Sequence, residues 1–141
     1  RKQAGITGQV IAYEYSDEAC ERIEKLGLAD EIIQGDATDG VDVYEKVRDA
    51  TNGEMCDVVI NNVNIPNTEM GSIMATKDDG TIYFFSMATS FTKAALGAEG
   101  IGKDVEMIIG NGYTKGHSAI AIQTLRESQK LKDLFNKLYT H

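Results

Sequence analysis

Two kinds of apolar spacing take turns along this chain. Short, nearly continuous apolar runs end in polar residues, and between them apolar side chains recur at helical spacing; the first pattern is that of strands and the second that of helices. Val10 to Tyr13 is the first run, closed by Glu14. Ser16 is placed to cap a helix with Asp17 and Glu18 in its first turn, where negative charge suits the helix dipole. That helix turns Cys20, Ile23 and Leu26 inward and stops at Gly27. Glu31 to Ile33 reads as a short strand, followed by the loop 34–38. A helix from about Val41 buries Val43, Tyr44, Val47 and Ala50 before Asn52 and Gly53 end it. Residues 56–63 and 81–86 are almost unbroken apolar strands, a type covered on both faces in parallel sheets. Between them Asn67 or Thr68 opens a short helix with Met70, Ile73 and Met74, and residues 78–80 make a turn. A glycine-rich stretch (Gly97, Gly100, Gly102) leads into the last strand, 105–109. The end is helical, with Leu131, Leu134, Phe135 and Leu138 on one docked face.

Five strands alternating with about six helices imply a parallel sheet with right-handed crossovers. An apolar strand that ends in an acid, as Val10 to Glu14 does, is the second strand of a dinucleotide-binding domain. The first strand and its glycine-rich phosphate loop are then expected upstream of residue 1, with Arg1 to Gly5 the end of the helix that follows them. The expected fold is α/β, a Rossmann-like doubly wound parallel sheet that is truncated, its first strand and glycine-rich loop absent. Residues 1–141 make one partial nucleotide-binding domain, with any catalytic domain absent. In that strand order the missing strand lies between the first and third strands of this chain. The sheet either closes by direct pairing of those two or takes structure donated by a second copy, which makes a homo-oligomer the expectation.

Charge narrows the partners. With 14 Lys and Arg against 22 Asp and Glu, a net charge of −8 argues against nucleic acid and anionic membrane surfaces. No apolar run approaches the ~20 residues that span a bilayer, and no signal-peptide core follows the basic start. Cys20 and Cys56 stand far apart in no C-x-x-C pattern, which reads as buried reduced thiols and a cytoplasmic protein. His117 and His141, the only histidines, lack ligand-like neighbours, so no zinc site is expected within the segment.

Ligands of open α/β sheets lie outside the carboxyl ends of the strands, and the candidates are the residues placed there. Glu14 can accept both hydroxyls of an adenosine ribose and repel a 2′-phosphate, favouring NAD over NADP, or it is a solvated acid at a strand end. Asp36 and Ala37 follow the next strand, where adenine rests; Asp36 serves equally as an ordinary cap. Asn61, Asn62 and Val63 end the third strand, and their amides suit ribose hydroxyls, although Asn is common in such turns for backbone reasons. Ser86, Met87 and Ala88 hold the corresponding place one strand on, with backbone groups available to a nicotinamide carboxamide. Lys93, Lys103, Lys115, His117, Tyr83 and Tyr113 are better read as surface or packing residues than as catalysts. No Ser-His-Asp set, GxSxG or P-loop occurs, which leaves the catalytic residues outside this chain.

The wording of residues 64–70 and 80–100, through Gly102-Lys103-Asp104-Val105 and Ile109-Gly110-Asn111-Gly112-Tyr113, is more specific. It resembles the medium-chain dehydrogenase/reductase superfamily over essentially the whole chain. The resemblance implies NAD as cofactor, a small-molecule diamino acid as substrate, and oxidative deamination in lysine fermentation. It also implies that the acid, base and metal ligands lie in a catalytic domain outside this segment, and that a chain without the phosphate loop is a fragment, inactive alone. Three other readings stand beside it. An S-adenosylmethionine-dependent methyltransferase also fits Gly35-Asp36-Ala37 and Asp57-Val58-Val59-Ile60, but such folds close with an antiparallel strand, whereas the residues after Ile109 read as loop and helix. A non-catalytic Rossmann-core interaction domain leaves the wording of residues 64–113 unexplained. Another zinc-type alcohol dehydrogenase or quinone reductase would share the cofactor and differ in substrate.

Overall fold

Local signals place most of the elements. A computed structural model describes residues 5–110 and 113–140 of the chain. The reading of residues 1–4 as a helix end, and those touching Asn111, Gly112 and His141, lie outside the described residues. The described residues form two units, divided between Asn111 and Gly112.

The first unit begins β1 (Ile11–Glu14), α1 (Asp17–Leu26), β2 (Glu31–Gln34), α2 (Gly40–Ala50) and β3 (Cys56–Asn61). It continues with α3 (Glu69–Ala75), β4 (Thr76–Phe84), α4 (Phe91–Ile101) and β5 (Val105–Ile109). The caps are those that the sequence signals: Ser16 Oγ accepts from the Ala19 N–H and Gly27 takes the left-handed conformation that ends α1. Asp39 caps α2 through the Val41 and Asp42 N–H groups. The second unit holds α5 (His117–Glu127) and α6 (Gln129–Tyr139), α6 opened by Ser128 Oγ accepting from the Leu131 N–H.

Every strand pair is parallel, but the sheet is in two pieces. β1 pairs with β2, and β3-β4-β5 form a separate ladder, with no backbone pairing of β1 and β3 among the described residues. Closure by direct pairing, one of the two expected solutions, is therefore not what the chain does. A cavity of about 170 Å³ lies where β1 and β3 face each other, lined among others by Ile11, Tyr13, Val43, Val47, Cys56 and Val59. Side chains bridge where the ladder does not. Ile33, Val43, Val47 and Ala75 form one buried cluster, against which Ile11 and Tyr13 pack from β1 and Cys56 and Val59 from β3. A second cluster, Ile73, Ile82, Phe84, Ala94 and Ala98, seals α3 and α4 onto the three-stranded ladder.

Three expectations need correction, one of them the docked face of the C-terminal helix, where Phe135 is 45% and Leu138 41% exposed. β3 and β4 are not covered on both faces: Val58 is 59% and Ile60 61% exposed, and Phe85 is exposed as well. The helices α3 and α4 pack on the side of Val59, Ile82 and Phe84, and in a strand the neighbours of those residues point the opposite way. The stretch with Gly97 and Gly100 lies in helix α4, with Gly102 as its left-handed stop. A Cβ on Gly97 would lie 2.7 Å from Met70 Sδ, so close packing of α3 and α4 outweighs the low helix propensity of glycine. Residues 78–80 do not turn out of the sheet but form an irregularity inside β4, where Asp79 has φ +62° and the register against β3 shifts.

Candidate functional site

The carboxyl ends of the parallel strands carry the predicted site residues in two groups, one per ladder. At the end of β1, Glu14 is half-buried and its carboxylate has no hydrogen-bond or ion-pair partner among the described residues. Its own carbonyl accepts from the Gly35 N–H at 3.0 Å, which draws the loop after β2 against it. Gln34 Nε2 adds a bond to the Tyr15 carbonyl at 3.2 Å. Gly35 is obligatory there, since a Cβ would lie 2.0 Å from the Tyr13 hydroxyl. That hydroxyl donates to Asp42 Oδ2 at 2.9 Å, and Lys46 Nζ donates to the same oxygen at 2.8 Å. Burial, followed by the bond to Asp42, raises the Tyr13 phenol well above its ordinary value. Hydrogen bonds from Lys46 and Tyr13 hold the Asp42 carboxyl below its usual range.

Asp36 is exposed and shapes the loop. Its Oδ1 accepts the Thr38 N–H at 2.9 Å and the Thr38 hydroxyl at 2.7 Å, and those bonds lower its pKa. Of the two roles open to it in the sequence, the turn-forming one is the one its contacts serve. Ala37 is half-buried, and its carbonyl faces Gly71 of α3 closely.

At the second ladder the three residues after β3 divide. The Asn61 side chain is buried, 5% exposed, and turned inward. Its Nδ2 donates to Thr68 Oγ1 and Ser72 Oγ, both at 2.9 Å, and its Oδ1 accepts from the Val63 N–H at 3.0 Å. With its amide donors committed and its side chain buried, Asn61 is turned away from solvent, whereas Asn62 is exposed. Val63 is half-buried and held through its N–H. Beyond β4, Ser86 Oγ accepts from the Ala88 N–H at 3.1 Å and Met87 is exposed. Thr89 N–H bonds the Ser86 carbonyl at 3.2 Å, which makes residues 86–89 a tight turn on the edge of the sheet.

Sequence reasoning missed the polar network beneath these loops. Thr68, Glu69 and Ser72, all buried, join Asn61 to the first turns of α3, and Glu69 Oε1 accepts from the Ser90 N–H at 2.6 Å. Lys93 Nζ bonds Asn67 Oδ1 alongside. The only trace in the sequence is an acid behind a helix-capping Thr, a pattern that reads as an exposed first turn. His117 and Tyr113, stacked at 4.6 Å between ring centroids, belong to the second unit, with His117 Nδ1 at 2.8 Å from the Thr114 carbonyl.

Both cysteines are free thiols and half-buried. Among the described residues no group of three or more His, Cys, Asp or Glu side chains converges as metal ligands would, and no helix is long and apolar enough to cross a membrane.

Comparison with known proteins agrees with this arrangement of parallel strands. The chain is 50% identical over 139 residues to L-erythro-3,5-diaminohexanoate dehydrogenase of Acetoanaerobium sticklandii, covering 99% of the chain and 40% of that relative. It is 48% identical over 138 residues to the protein of the same name from Fusobacterium nucleatum subsp. nucleatum, covering 98% of the chain and 40% of the relative. The chain thus spans about two fifths of the length of the curated relatives it matches. A mycobacterial protein whose structure was solved in complex with NADPH superposes with a TM-score of 0.59 at 15% identity, over 84% of this chain and 39% of that one. At that identity the likeness is one of fold, a Rossmann-type α/β architecture. The antiparallel closing strand of a methyltransferase does not occur among the described residues, β5 running parallel to β4. Residues 2–124 match the zinc-binding dehydrogenase family. The chain belongs to that family, within the medium-chain dehydrogenases.

Proposed function

We propose that this chain is the NAD-binding part of a dehydrogenase that oxidatively deaminates L-erythro-3,5-diaminohexanoate, giving 5-amino-3-oxohexanoate and ammonia. The observation that carries the cofactor reading is the half-buried carboxylate of Glu14, without a partner among the described residues, at the carboxyl end of β1. The vicinal hydroxyls of an adenosine ribose are donors suited to such a carboxylate. Asp17 and Glu18 follow within one turn, so the local charge opposes a 2′-phosphate and selects NAD. Asp36 and Ala37 border the adenine, Asn62 and the backbone at Val63 meet the inner ribose, and Ser86 and Met87 offer backbone groups to the carboxamide. The bound nicotinamide supplies a hydride acceptor for the carbon that carries the amine, and water then releases ammonia. The substrate is proposed on the likeness to the two curated dehydrogenases. A homo-oligomer in the cytoplasm, free of nucleic acid and membrane, completes the proposal.

Fluorescence titration with NADH and NADPH in parallel, on the chain extended at its N-terminus through the expected glycine-rich loop, tests the reading. NADH binds more tightly, and Glu14→Ala reduces the preference about tenfold, the equivalent of about 1.4 kcal/mol. A preference unchanged by that substitution refutes the role of Glu14.

A further inference from the structure

A buried carboxylate that serves a loop rather than a cation is an expensive choice. Glu69, in the first turn of α3, is 2% exposed. Its Oε1 accepts from the Ser90 N–H at 2.6 Å, and Ser90 is the residue that caps α4. A buried polar group gives up hydration and is retained where a hydrogen bond compensates it, and the short bond to the Ser90 N–H is the one that does so here.

What the bond holds is the turn after β4. At its near end the Phe85 N–H bonds the Asn61 carbonyl at 3.0 Å, and at its far end stands the Glu69–Ser90 bond. The Lys93–Asn67 bond ties the same two loops from outside. Residues 86–89 therefore form a span of backbone pinned at both ends, and the far pin is a side chain from another element.

We propose that Glu69 is a positioning residue for the nicotinamide end of the cofactor, setting the place of the 86–89 backbone without touching the ligand. This rests on the reading of the chain as a dinucleotide site. ADP-ribose separates the two ideas, because it carries every part of the cofactor except nicotinamide. In the N-terminally extended protein Glu69→Ala weakens NADH binding about tenfold while ADP-ribose stays within about twofold, the size of loss expected when one hydrogen bond is removed. Glu69→Gln keeps an acceptor but not the charge, and lowers the NADH to ADP-ribose affinity ratio by about threefold, since a neutral hydrogen bond has roughly half the strength. Should the Ala variant not fold, the Gln variant decides: a ratio lowered about threefold supports the role, and a ratio equal to that of the wild type overturns it. Equal loss of both ligands in a folded Ala variant shows a purely structural residue and overturns the proposal while leaving the dinucleotide site intact. Failure of the N-terminally extended protein, without substitutions, to bind either ligand overturns both readings.

Discussion

Glycine-to-alanine exchange at three helical positions separates packing from propensity within one small structure. Gly71 and Gly100 both lie inside helices, so the intrinsic effect of adding a methyl group is the same: about 0.5–1 kcal/mol of stabilisation from reduced freedom of the unfolded chain. Their surroundings differ. Around Gly100 nothing lies within 4 Å of the new Cβ, and the gain stands unopposed. At Gly71 the Cβ meets the Ala37 carbonyl oxygen at 2.8 Å and Val43 Cγ2 at 3.1 Å. A backbone oxygen cannot swing aside, so α3 must separate from the loop after β2, at the cost of about 1–3 kcal/mol typical of overpacking. The net loss at Gly71 centres on about 1.3 kcal/mol once the propensity gain is subtracted. Gly97 falls between them: its nearest neighbour, Met70 Sδ at 2.7 Å, is the flexible end of a side chain and can move, which leaves the substitution near neutral.

Urea unfolding followed by circular dichroism reads the three directly. With a slope of about 2 kcal/mol/M, Gly71→Ala lowers the midpoint by about 0.5–1 M and Gly100→Ala raises it by about 0.3–0.5 M. A Gly71→Ala protein as stable as the wild type, or a Gly100→Ala protein less stable, would refute the packing argument. The strain at Gly71 falls on Ala37, a candidate adenine neighbour, so the same variant also weakens NADH.

Two further outcomes follow from titrating groups. Because folding raises the Tyr13 phenol above the ordinary value of 10.0, its contribution is complete below pH 10 and is lost as the pH rises beyond it, where only the unfolded chain readily ionises. Tyr13→Phe costs about 1 kcal/mol at neutral pH for the bond to Asp42 and flattens the alkaline decline, checked by melting temperature between pH 8 and 11.5; a decline as steep as in the wild type removes Tyr13 as its source. Burial, followed by the Asp57 charge, pushes the Cys56 thiol up, so iodoacetamide at pH 8 alkylates it more slowly in the folded than in the urea-unfolded protein, read by peptide mass spectrometry. Equal rates in the two states contradict the burial.

The alternation of strand and helix was legible because it is written locally, in caps and apolar spacing. Ser16 and Gly27 act within a few residues of themselves, and their signals survive whatever surrounds them. What was not legible depends on distant partners. Val58 and Ile60 have the composition of covered strand residues, but coverage belongs to the helices that lie over a face, and α3 and α4 lie over the other. Gly97 looks like a helix breaker until Met70 occupies the place of its side chain. Asn61 looks like an offered amide until Thr68 and Ser72 are seen to take its donors. The strand-end positions of the candidate site follow from topology and were readable; which side chains face the ligand depends on packing and was not.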